Sequence, residues 1–363
     1  MRKKLVAIAA AGVLTLGSLA ACTDGDNKTT DGKNGTKVGV ILPDTSTSQR
    51  WGSDDPKLLK AAFKAAGVEV DIRNAQGQVS SFLSIADEMI ATGAKVLMIV
   101  SLDADSGKVV LDKARAAGVK TIDYDRLTLN GNADYYVSFD NVQVGRLQGQ
   151  GLVRCLKAKG IKNPRVAYLN GAPTDNNATL FRSGYDSVLQ PRYDDGTFRK
   201  GPEQSVPRWN NDEGRFIFDQ MIADTDGQID GVLAANDGLG NAAITVLKRQ
   251  RRNGLVPVTG QDAEVQGLQN ILAGDQCMTV YKPIKKEADA AAKLAISLFK
   301  DQPAKTDARV KDPQSGGYVP SVLLPPSAIF KKDVEDVIKD GFVERATVCA
   351  GVFAKLCRNN GID

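Results

Sequence analysis

The chain has 363 residues, of which 47 are lysine or arginine, 43 are aspartate or glutamate and 6% are aromatic. It contains no histidine, which removes the commonest general base and metal ligand and excludes Ser-His-Asp and Cys-His nucleophile systems. Basic residues at positions 2–4 supply most of the net charge of +4, so the rest of the chain has no charge footprint for nucleic acid. We also expect no metal and no cofactor.

The first 21 residues have the pattern of an export signal. The basic residues at 2–4 precede an apolar run over 5–21, and Leu19-Ala20-Ala21-Cys22 resembles the lipobox of bacterial lipoproteins. In such proteins the peptide is cleaved before the cysteine and the thiol is lipidated. A transmembrane anchor and a plain secretory peptide are the alternatives, but the run is short for a span, which needs roughly 20 residues.

We therefore expect a mature chain that begins at Cys22 and is held at the outer face of a membrane by lipid alone. Residues 22–36 are polar, rich in Gly, Asp and Thr, and without periodicity, so they predict a flexible tether.

From residue 37 onward, β-rich runs alternate with helical patterns. Strands are predicted at 37–42, 68–73, 96–100, 121–124 and 135–139, and helices at 56–66, 80–92 and 106–117. The pattern then restarts, with strands at 166–170, 203–206, 231–235, 256–260, 278–281 and 319–323 and helices at 141–159, 178–189, 212–223, 240–250, 265–273, 284–300 and 332–339. This alternation predicts an α/β chain with two successive Rossmann-like lobes, each a doubly wound parallel sheet.

Asp, Asn, Gln, Arg and Lys residues follow nearly every predicted strand, and two tryptophans are close to them. These residues are Asp44, Arg50, Trp51, Asp125, Arg126, Asp140, Asn141, Asp175, Asn176, Asn177, Arg182, Trp209, Asn236, Asp237, Gln261, Asp262 and Lys282. In open α/β sheets the loops at the carboxyl ends of the strands hold the ligand, so two facing lobes would share one cleft. Planar polar groups that satisfy neighbouring hydroxyls, beside aromatic rings that pack on C–H faces, are typical of sugar recognition.

Structural alternatives stand beside this interpretation. Asp105, Asp212 and Asn141 could be helix N-caps. The remaining alternatives are a structural ion pair for Asp125 with Arg126, a place in the lobe cores for Trp51 and Trp209, and a simple turn for Asn236-Asp237-Gly238.

Two enzymatic interpretations are weaker. The strand-end aspartates have no fixed spacing and have ready Arg and Lys partners, which disfavours a pair of catalytic carboxylates. Gly238 and Gly240 lack the third glycine of a dinucleotide loop, because Ala243 stands in its place.

Four cysteines remain besides Cys22. Cys349 and Cys357 are close in sequence and are expected to pair, which leaves Cys155 to pair with Cys277. Buried free thiols are the alternative. Their spacing does not fit a zinc site.

Taken together, the strand-end segments resemble the periplasmic sugar-binding proteins of ABC transporters, in particular the xylose-binding and multiple-sugar-binding group. The resembling segments, in family order over about residues 37–345, are Gln49-Arg50-Trp51, Ile122-Asp123-Tyr124-Asp125-Arg126, Val137-Ser138-Phe139-Asp140-Asn141, Asp175-Asn176-Asn177-Ala178, Phe181-Arg182, Ala234-Ala235-Asn236-Asp237, Gly260-Gln261-Asp262-Ala263 and Met278-Thr279-Val280-Tyr281-Lys282-Pro283-Ile284. The four additional cysteines, the segment 44–48 and the tail 346–363 depart from the family pattern.

The resemblance implies a type I periplasmic binding fold with a three-segment hinge near 138–141, 281–283 and 321–325. It implies an N-terminal lobe of 37–139 and 283–321, a C-terminal lobe of 140–282 and 322–345, and a C-terminal tail of 346–363. The ligand-binding residues that it implies are Arg50, Trp51, Asp125, Arg126, Asp140, Asn141, Asn176, Asn177, Arg182, Trp209, Asn236, Asp237, Asp262 and Lys282.

The expected function is an extracytoplasmic, monomeric lipoprotein that captures a monosaccharide and delivers it to ABC permease subunits, without breaking a bond. A sugar sensor that signals to a membrane receptor is the alternative for the same lobes. A secreted glycosidase would need an acid carboxyl group with a raised pKa. A repressor with this core fold would need an N-terminal helix-turn-helix, where this chain has its signal and tether.

Overall fold

The computed structural model describes residues 37–362. The predicted signal at 1–21, Cys22 and the tether at 22–36 lie outside the described residues. The strands are β1 Lys37–Leu42, β2 Val70–Asn74, β3 Ala94–Ile99, β4 Lys120–Tyr124, β5 Tyr135–Phe139, β6 Arg165–Asn170, β7 Arg199–Ser205, β8 Gly231–Ala234, β9 Thr279–Tyr281, β10 Ala308–Lys311, β11 Tyr318–Leu324 and β12 Ser327–Ile329. Within 37–362, no helix has the length and apolar character needed to cross a membrane.

The helices alternate with the strands over most of the chain. They are α1 Asp55–Ala65, α2 Val79–Ala91, α3 Ala104–Ala116, α4 Asn141–Ala158, α5 Asn176–Asp194, α6 Asn211–Asp224, α7 Asp237–Arg249, α8 Val265–Ala273, α9 Ile284–Phe299, α10 Val334–Lys339, α11 Arg345–Val348 and α12 Phe353–Asn359. Short turns of π-helix and 3-10 helix at Arg50–Asp54 and Pro207–Trp209 carry the two tryptophans.

The first lobe is built on a seven-stranded sheet in the order β10-β11-β5-β4-β3-β1-β2. All neighbouring strands are parallel except β10, which runs antiparallel to β11. Alternate residues of a strand face opposite sides: Val96 and Met98 pack with α1 and α9, whereas Leu97 and Ile99 pack with α2 and α3. Burial on both faces explains why β3 is an unbroken apolar run from Val96 to Ile99.

The second lobe contains a parallel sheet in the order β7-β6-β8, packed in one core with α4, α5, α6 and α7. Residues 256–260, predicted as a strand, form a single parallel bridge from Val258 to Val232. Antiparallel strands β9 and β12 form a separate pair beside this lobe. The α/β fold with two lobes therefore confirms the predicted fold class.

The chain passes between the lobes three times, at β5 to α4, at β9 to α9 and at β11 to β12. β11 continues in the first sheet to Leu324, beyond the boundary predicted at 321. The pattern also missed β10 and β12, because β10 is a short strand at the edge of the sheet with polar residues at exposed positions, and β12 has only three residues.

The segment 346–363, predicted only as a tail, contributes α12 and the end of α11. Val348, Cys357 and Ile362 are buried with α8 and α10 in one apolar cluster. Both predicted disulfides are present: Cys349–Cys357 closes this C-terminal segment, and Cys155–Cys277 joins α4 to the loop before β9.

Candidate functional site

A cleft between the lobes is lined by residues from the carboxyl ends of strands in both sheets. Its lining residues are Thr47, Ser48, Arg50, Trp51, Asp125, Arg126, Asp175, Asn177, Phe181, Trp209, Asn236, Gln261, Asp262 and Lys282. The free space among them is about 40 Å³, which is room for a few water molecules. Nine of the fourteen residues that the sequence implied therefore lie in one cleft, although the chain separates them widely.

Arg50 is the most heavily bonded group in the cleft. Its guanidinium donates two hydrogen bonds to Asp55, at 2.8 and 2.9 Å, one to Asp125 at 2.8 Å and one to Glu287 at 2.6 Å. Five donors in a rigid planar fork allow one arginine to hold several carboxylates at once. The guanidinium also lies 4.1 Å from the centre of the Trp51 ring, so Trp51 both lines the cleft and packs in the core of the first lobe.

The charges around Arg50 shift each other's pKa values. Burial alone would lower the pKa of Arg50, but the three carboxylates raise it well above its usual value. Burial alone would raise the pKa of Asp125, but the cations around it, Arg50 foremost, outweigh burial and lower it. Burial raises the pKa of Glu287 to about 8 against the opposing attraction of Arg50. The pair in contact with the cleft is therefore ionised at neutral pH, whereas burial favours the protonated form of Glu287 behind it.

Asp125, directly after β4, and Asp262, in the segment between α7 and α8, both have positive φ, 63° and 101°. The left-handed region is costly for residues other than glycine and is tolerated where surrounding bonds enforce it. The Asp125 carbonyl accepts hydrogen bonds from Ser138 at 2.8 Å, Asn177 at 3.1 Å and Tyr136 at 3.2 Å. These bonds hold the Asp125 side chain towards the cleft, next to Arg50.

The second lobe reaches across the cleft through its own ion pair. Asp175 lies 3.0 Å from Arg126 of the first lobe and accepts a hydrogen bond from the Trp209 indole nitrogen at 3.1 Å. Trp209 also has a positive φ, 56°, and packs against Phe181 in the core of the second lobe. Asn177 extends this contact by donating to the Asp125 carboxylate at 3.2 Å.

Lys282 stands where the chain returns from the second lobe to the first. Its ammonium lies 3.2 Å from Asp262 and 3.9 Å from Asp125, so it bridges acids of both lobes. Burial alone would lower the pKa of Lys282, but Asp262 and Asp125 together raise it. Nearby, the Ser48 hydroxyl donates to Glu264 at 3.2 Å across the lobes.

Five of the implied residues lie outside the cleft lining: Asp140, Asn141, Asn176, Arg182 and Asp237. Asp140 is exposed and caps α4, and the exposed Arg182 pairs with Glu203 at 2.7 Å. Asn141 is buried behind the cleft and donates to Asn177 at 2.8 Å, which orients that amide. Asn176 is half-buried at the start of α5.

Asp237 is fully buried beneath the cleft rather than in its wall. It accepts hydrogen bonds from Gln276 at 2.7 Å, Thr279 at 2.8 Å and the backbone nitrogen of Glu264 at 2.9 Å. Burial raises its pKa well above the usual value. Asp237 thus connects α7 to β9 and α8. Its neighbour Asn236 caps α7 and lines the cleft, because its side chain points in a different direction.

The alternative that Asp105, Asn141 and Asp212 are helix N-caps does not hold, because each stands one or two residues after the cap. Asp103, Asp140 and Asn210 cap α3, α4 and α6, in place of the residues expected at 105, 141 and 212. Each cap accepts a hydrogen bond from the backbone nitrogen three residues later, because the extended backbone just before the helix brings its side chain into reach.

Thr47, Ser48, Asp175, Phe181 and Gln261 line the cleft without having been predicted as binding residues. Asp175 and Gln261 are among the polar residues that follow the predicted strands, but the family resemblance did not include them in its set of ligand-binding residues. Thr47 and Ser48 are held by a turn in which Asp44 accepts hydrogen bonds from the backbone of residues 46 and 47. Within 37–362, no group of three or more potential ligand side chains is placed to hold a metal ion.

Comparison with known proteins agrees with this geometry. Residues 38–303 match the model of a family described as a periplasmic binding protein domain. The chain is 35% identical over 309 residues to the D-xylose-binding periplasmic protein of Escherichia coli (strain K12), covering 84% of this chain and 90% of that one. It is also 35% identical over 319 residues to the multiple sugar-binding periplasmic receptor of Rhizobium radiobacter, covering 84% and 89%.

Solved structures give the same result. An ABC transporter solute binding protein from Clostridium phytofermentans with bound β-D-glucose superposes with a TM-score of 0.80 at 30% identity, covering 86% of this chain and 99% of that one. A carbohydrate transporter solute binding protein from Chloroflexus aurantiacus in complex with D-glucose gives 0.78 at 28% identity, covering 85% and 97%. Proteins of this family bind solutes and do not catalyse reactions. The match over most of its length, the two-lobe fold and the cleft at the strand ends show that this chain belongs to the periplasmic binding protein family.

Proposed function

We propose that this protein is an extracytoplasmic solute-binding lipoprotein that captures a monosaccharide, xylose or a similar pentose or hexose, in the cleft between its lobes. It then delivers the sugar to an ABC importer. The observation that carries the proposal is the convergence of polar side chains and two tryptophans, from both lobes, on one cleft. The named ligands of the relatives in Escherichia coli and Rhizobium radiobacter support a sugar as the solute.

The proposed contacts are those implied residues that line the cleft: Arg50, Trp51, Asp125, Arg126, Asn177, Trp209, Asn236, Asp262 and Lys282. Hydrogen bonds from charged groups are roughly twice as strong as neutral ones, and carboxylates can accept from two neighbouring hydroxyls. Because the cations and acids already neutralise each other, a neutral polyol fits this cleft better than an ion. Asn141 would act indirectly, through Asn177.

Binding would work by bridging the lobes. The Arg126–Asp175 pair and the Asn177–Asp125 hydrogen bond already cross the cleft, and a sugar would add further bonds between the same walls. Because both lobes line the cleft and contact each other across it, the lobes would separate to admit the sugar. The ligand would then shift the equilibrium towards a closed form, which the permease subunits recognise.

Titration calorimetry against xylose, arabinose, ribose, glucose, galactose and fructose tests this proposal. We expect a dissociation constant in the micromolar range or below for at least one of these sugars, with one site per chain. Mannitol, an open-chain polyol, is the control for unspecific polyol binding. An absence of heat and of thermal stabilisation with all six sugars would refute the monosaccharide proposal.

Membrane attachment through a lipid on Cys22 is a separate proposal, which rests on the lipobox-like sequence. Cys22→Ser in the full-length chain should abolish metabolic labelling with palmitate and move the protein from the detergent phase to the aqueous phase. Palmitate labelling that survives this substitution would contradict it. We further propose that the protein acts as a monomer.

A sensor that signals to a membrane receptor is the second candidate, and the receptor named in Rhizobium radiobacter favours it. Uptake of radiolabelled sugar by cells with and without the gene separates the two. Loss of uptake supports import, whereas unchanged uptake with a lost transcriptional or chemotactic response supports sensing.

A further inference from the structure

The polar side chains of the cleft differ in whether other groups of the protein form hydrogen bonds or ion pairs with them. Arg50, Arg126 and Lys282 each lie in ion pairs, and Trp209 donates to Asp175. By contrast, the side-chain oxygen of Gln261 is buried and has no hydrogen-bond partner within residues 37–362. Of the four side chains with such an oxygen in this part of the chain, only that of Gln261 lines the cleft.

The other three have structural partners for the rest of their polar groups. The amide nitrogen of Gln148 donates to three backbone carbonyls, and that of Gln276 donates to Asp237 at 2.7 Å. Glu287 is held by Arg50. These side chains join elements of the fold, whereas the Gln261 side chain faces the cleft.

The backbone on either side of Gln261 is fixed. Its carbonyl accepts a hydrogen bond from the Asp237 nitrogen at 2.9 Å, and the next nitrogen, of Asp262, donates to Val280 at 2.9 Å. The residue as a whole is only 3% exposed. A buried acceptor without a partner is unfavourable, so it is stabilised by any molecule that enters the cleft and presents a donor there.

The surroundings select the kind of donor. Asp262 follows directly in the chain and is paired with Lys282, so the wall beside Gln261 offers no unbalanced charge to hold an ammonium group or an anion. A hydroxyl is uncharged and can donate to the amide oxygen while it accepts from a neighbouring cation. We propose that Gln261 is a specificity-determining residue that accepts a hydrogen bond from one particular hydroxyl of the sugar, an inference that rests on the proposed function.

The test is a cycle that changes both partners of this hydrogen bond. Gln261→Met keeps the length of the side chain and removes its polar end. Calorimetry with D-xylose and D-glucose, and with the monodeoxy analogues of whichever sugar binds, is carried out on the wild-type protein and on the variant. We expect the variant to bind the parent sugar at least tenfold more weakly. One deoxy analogue should bind the wild-type protein more weakly than the parent sugar does. This analogue and the parent sugar should bind the variant with the same affinity.

Gln220→Met serves as the matched control, because Gln220 is exposed on α6 and donates only to Asp224. It should bind the parent sugar within twofold of wild type, and circular dichroism and melting temperature should show both variants folded. The inference is overturned if Gln261→Met binds the parent sugar within threefold of the wild-type affinity. It is also overturned if the loss of affinity from the parent sugar to each deoxy analogue is the same in both proteins. A wild-type protein that binds none of the sugars overturns the proposed function, and this inference with it.

Discussion

At Arg50 a single guanidinium holds three buried carboxylates, which come from positions 55, 125 and 287. Such a group acts as a scaffold, because removing it would leave several acids without a counter-charge in a dry environment. Arg126 is different. It has one acidic partner, Asp175, on the opposite lobe, and one backbone contact, to Ser101 at 3.2 Å. Arg126 is therefore the better residue for testing the ligand contacts without unfolding the lobe.

Arg126→Ala is expected to weaken sugar binding by on the order of 2–5 kcal/mol, because it leaves Asp175 buried without its partner and removes a charged donor. Calorimetry with the best-binding sugar measures this loss. Arg215→Ala, on the exposed face of α6, is the control and should have no effect. Binding within threefold of wild type for Arg126→Ala would show that the cleft is not the sugar site.

Glu287 makes stability depend on pH. It faces Arg50, Asp125, Asp55 and Lys282, and burial raises its pKa to about 8 from the ordinary 4.5. Between these two values the folded state holds a proton that the unfolded state has lost, so the stabilising contribution falls as pH rises from about 5 to about 8. Glu287→Gln imitates the protonated group and should weaken this dependence.

Urea unfolding of the wild-type protein and of Glu287→Gln at pH 5, 6, 7 and 8 measures the effect. Glu69→Gln, a change of an exposed glutamate, is the control and should follow the wild-type curve. Identical slopes of stability against pH for all three proteins would contradict the assignment.

At the scale of the elements, the two disulfides differ in the length of chain that they close. Cys155 and Cys277 are 122 residues apart, whereas Cys349 and Cys357 are 8 apart. A cross-link restricts the unfolded chain more when the loop is longer, which gives about 5 kcal/mol for the first and about 2.5 kcal/mol for the second. The long-range disulfide also ties α4, which follows one crossing between the lobes, to the segment that leads into another.

Replacing both cysteines of each pair by serine should therefore lower the free energy of unfolding more for Cys155–Cys277 than for Cys349–Cys357. Guanidinium unfolding of the two double variants provides the comparison, and each serves as the control for the other. A larger loss from the short loop would contradict the chain-entropy explanation.

Helices α4 and α5 cross in close contact at two glycines. A β-carbon at Gly145 would overlap the carbonyl of Phe181, and one at Gly184 would overlap the carbonyl of Val142. Since α5 begins next to Asn177, displacing it would also move a cleft residue. Backbone shifts of this kind typically cost about 1–3 kcal/mol.

Gly145→Ala should lower the midpoint of urea unfolding and weaken sugar binding together. Gly317→Ala is the control, because a β-carbon at Gly317 comes no closer than 3.4 Å to its neighbours. A variant Gly145→Ala with wild-type stability would show that the two helices have room to separate.

At the scale of the whole molecule, the three crossings of the chain allow the lobes to move as units. Gln76 of the first lobe and Asp212 of the second are both exposed at the outer mouth of the cleft, where a cavity of about 570 Å³ adjoins the inner site. A distance between these positions reports on closure, and the sugar should shorten it and narrow its distribution.

Nitroxide labels on Gln76→Cys and Asp212→Cys, measured with and without saturating sugar, test this expectation. Labels on Glu69→Cys and Lys113→Cys, both in the first lobe, form the control pair and should not respond. An unchanged distribution for the first pair, in protein that binds the sugar, would refute closure as the response to ligand.

The sequence by itself determined the alternation of strands and helices, the two-lobe α/β class and the pairing of four cysteines. It also predicted which polar residues gather at one cleft, because residues such as Asp125 directly follow strands, and strand ends meet at one edge of a sheet. The alternation and the strand-end positions depend on periodicities and neighbours within a few residues, which a single sequence displays.

The tertiary structure decided which of these side chains reach the cleft. Asn236 and Asp237 are adjacent in the sequence, yet one lines the cleft and the other is buried beneath it among Gln276, Thr279 and the backbone of Glu264. Arg50 meets Glu287 across 237 positions of the chain, which no local pattern reveals. The direction of a side chain and its contacts with distant residues arise from packing the lobes together. For this reason, only the folded molecule shows that the Gln261 side-chain oxygen has no hydrogen-bond partner within residues 37–362.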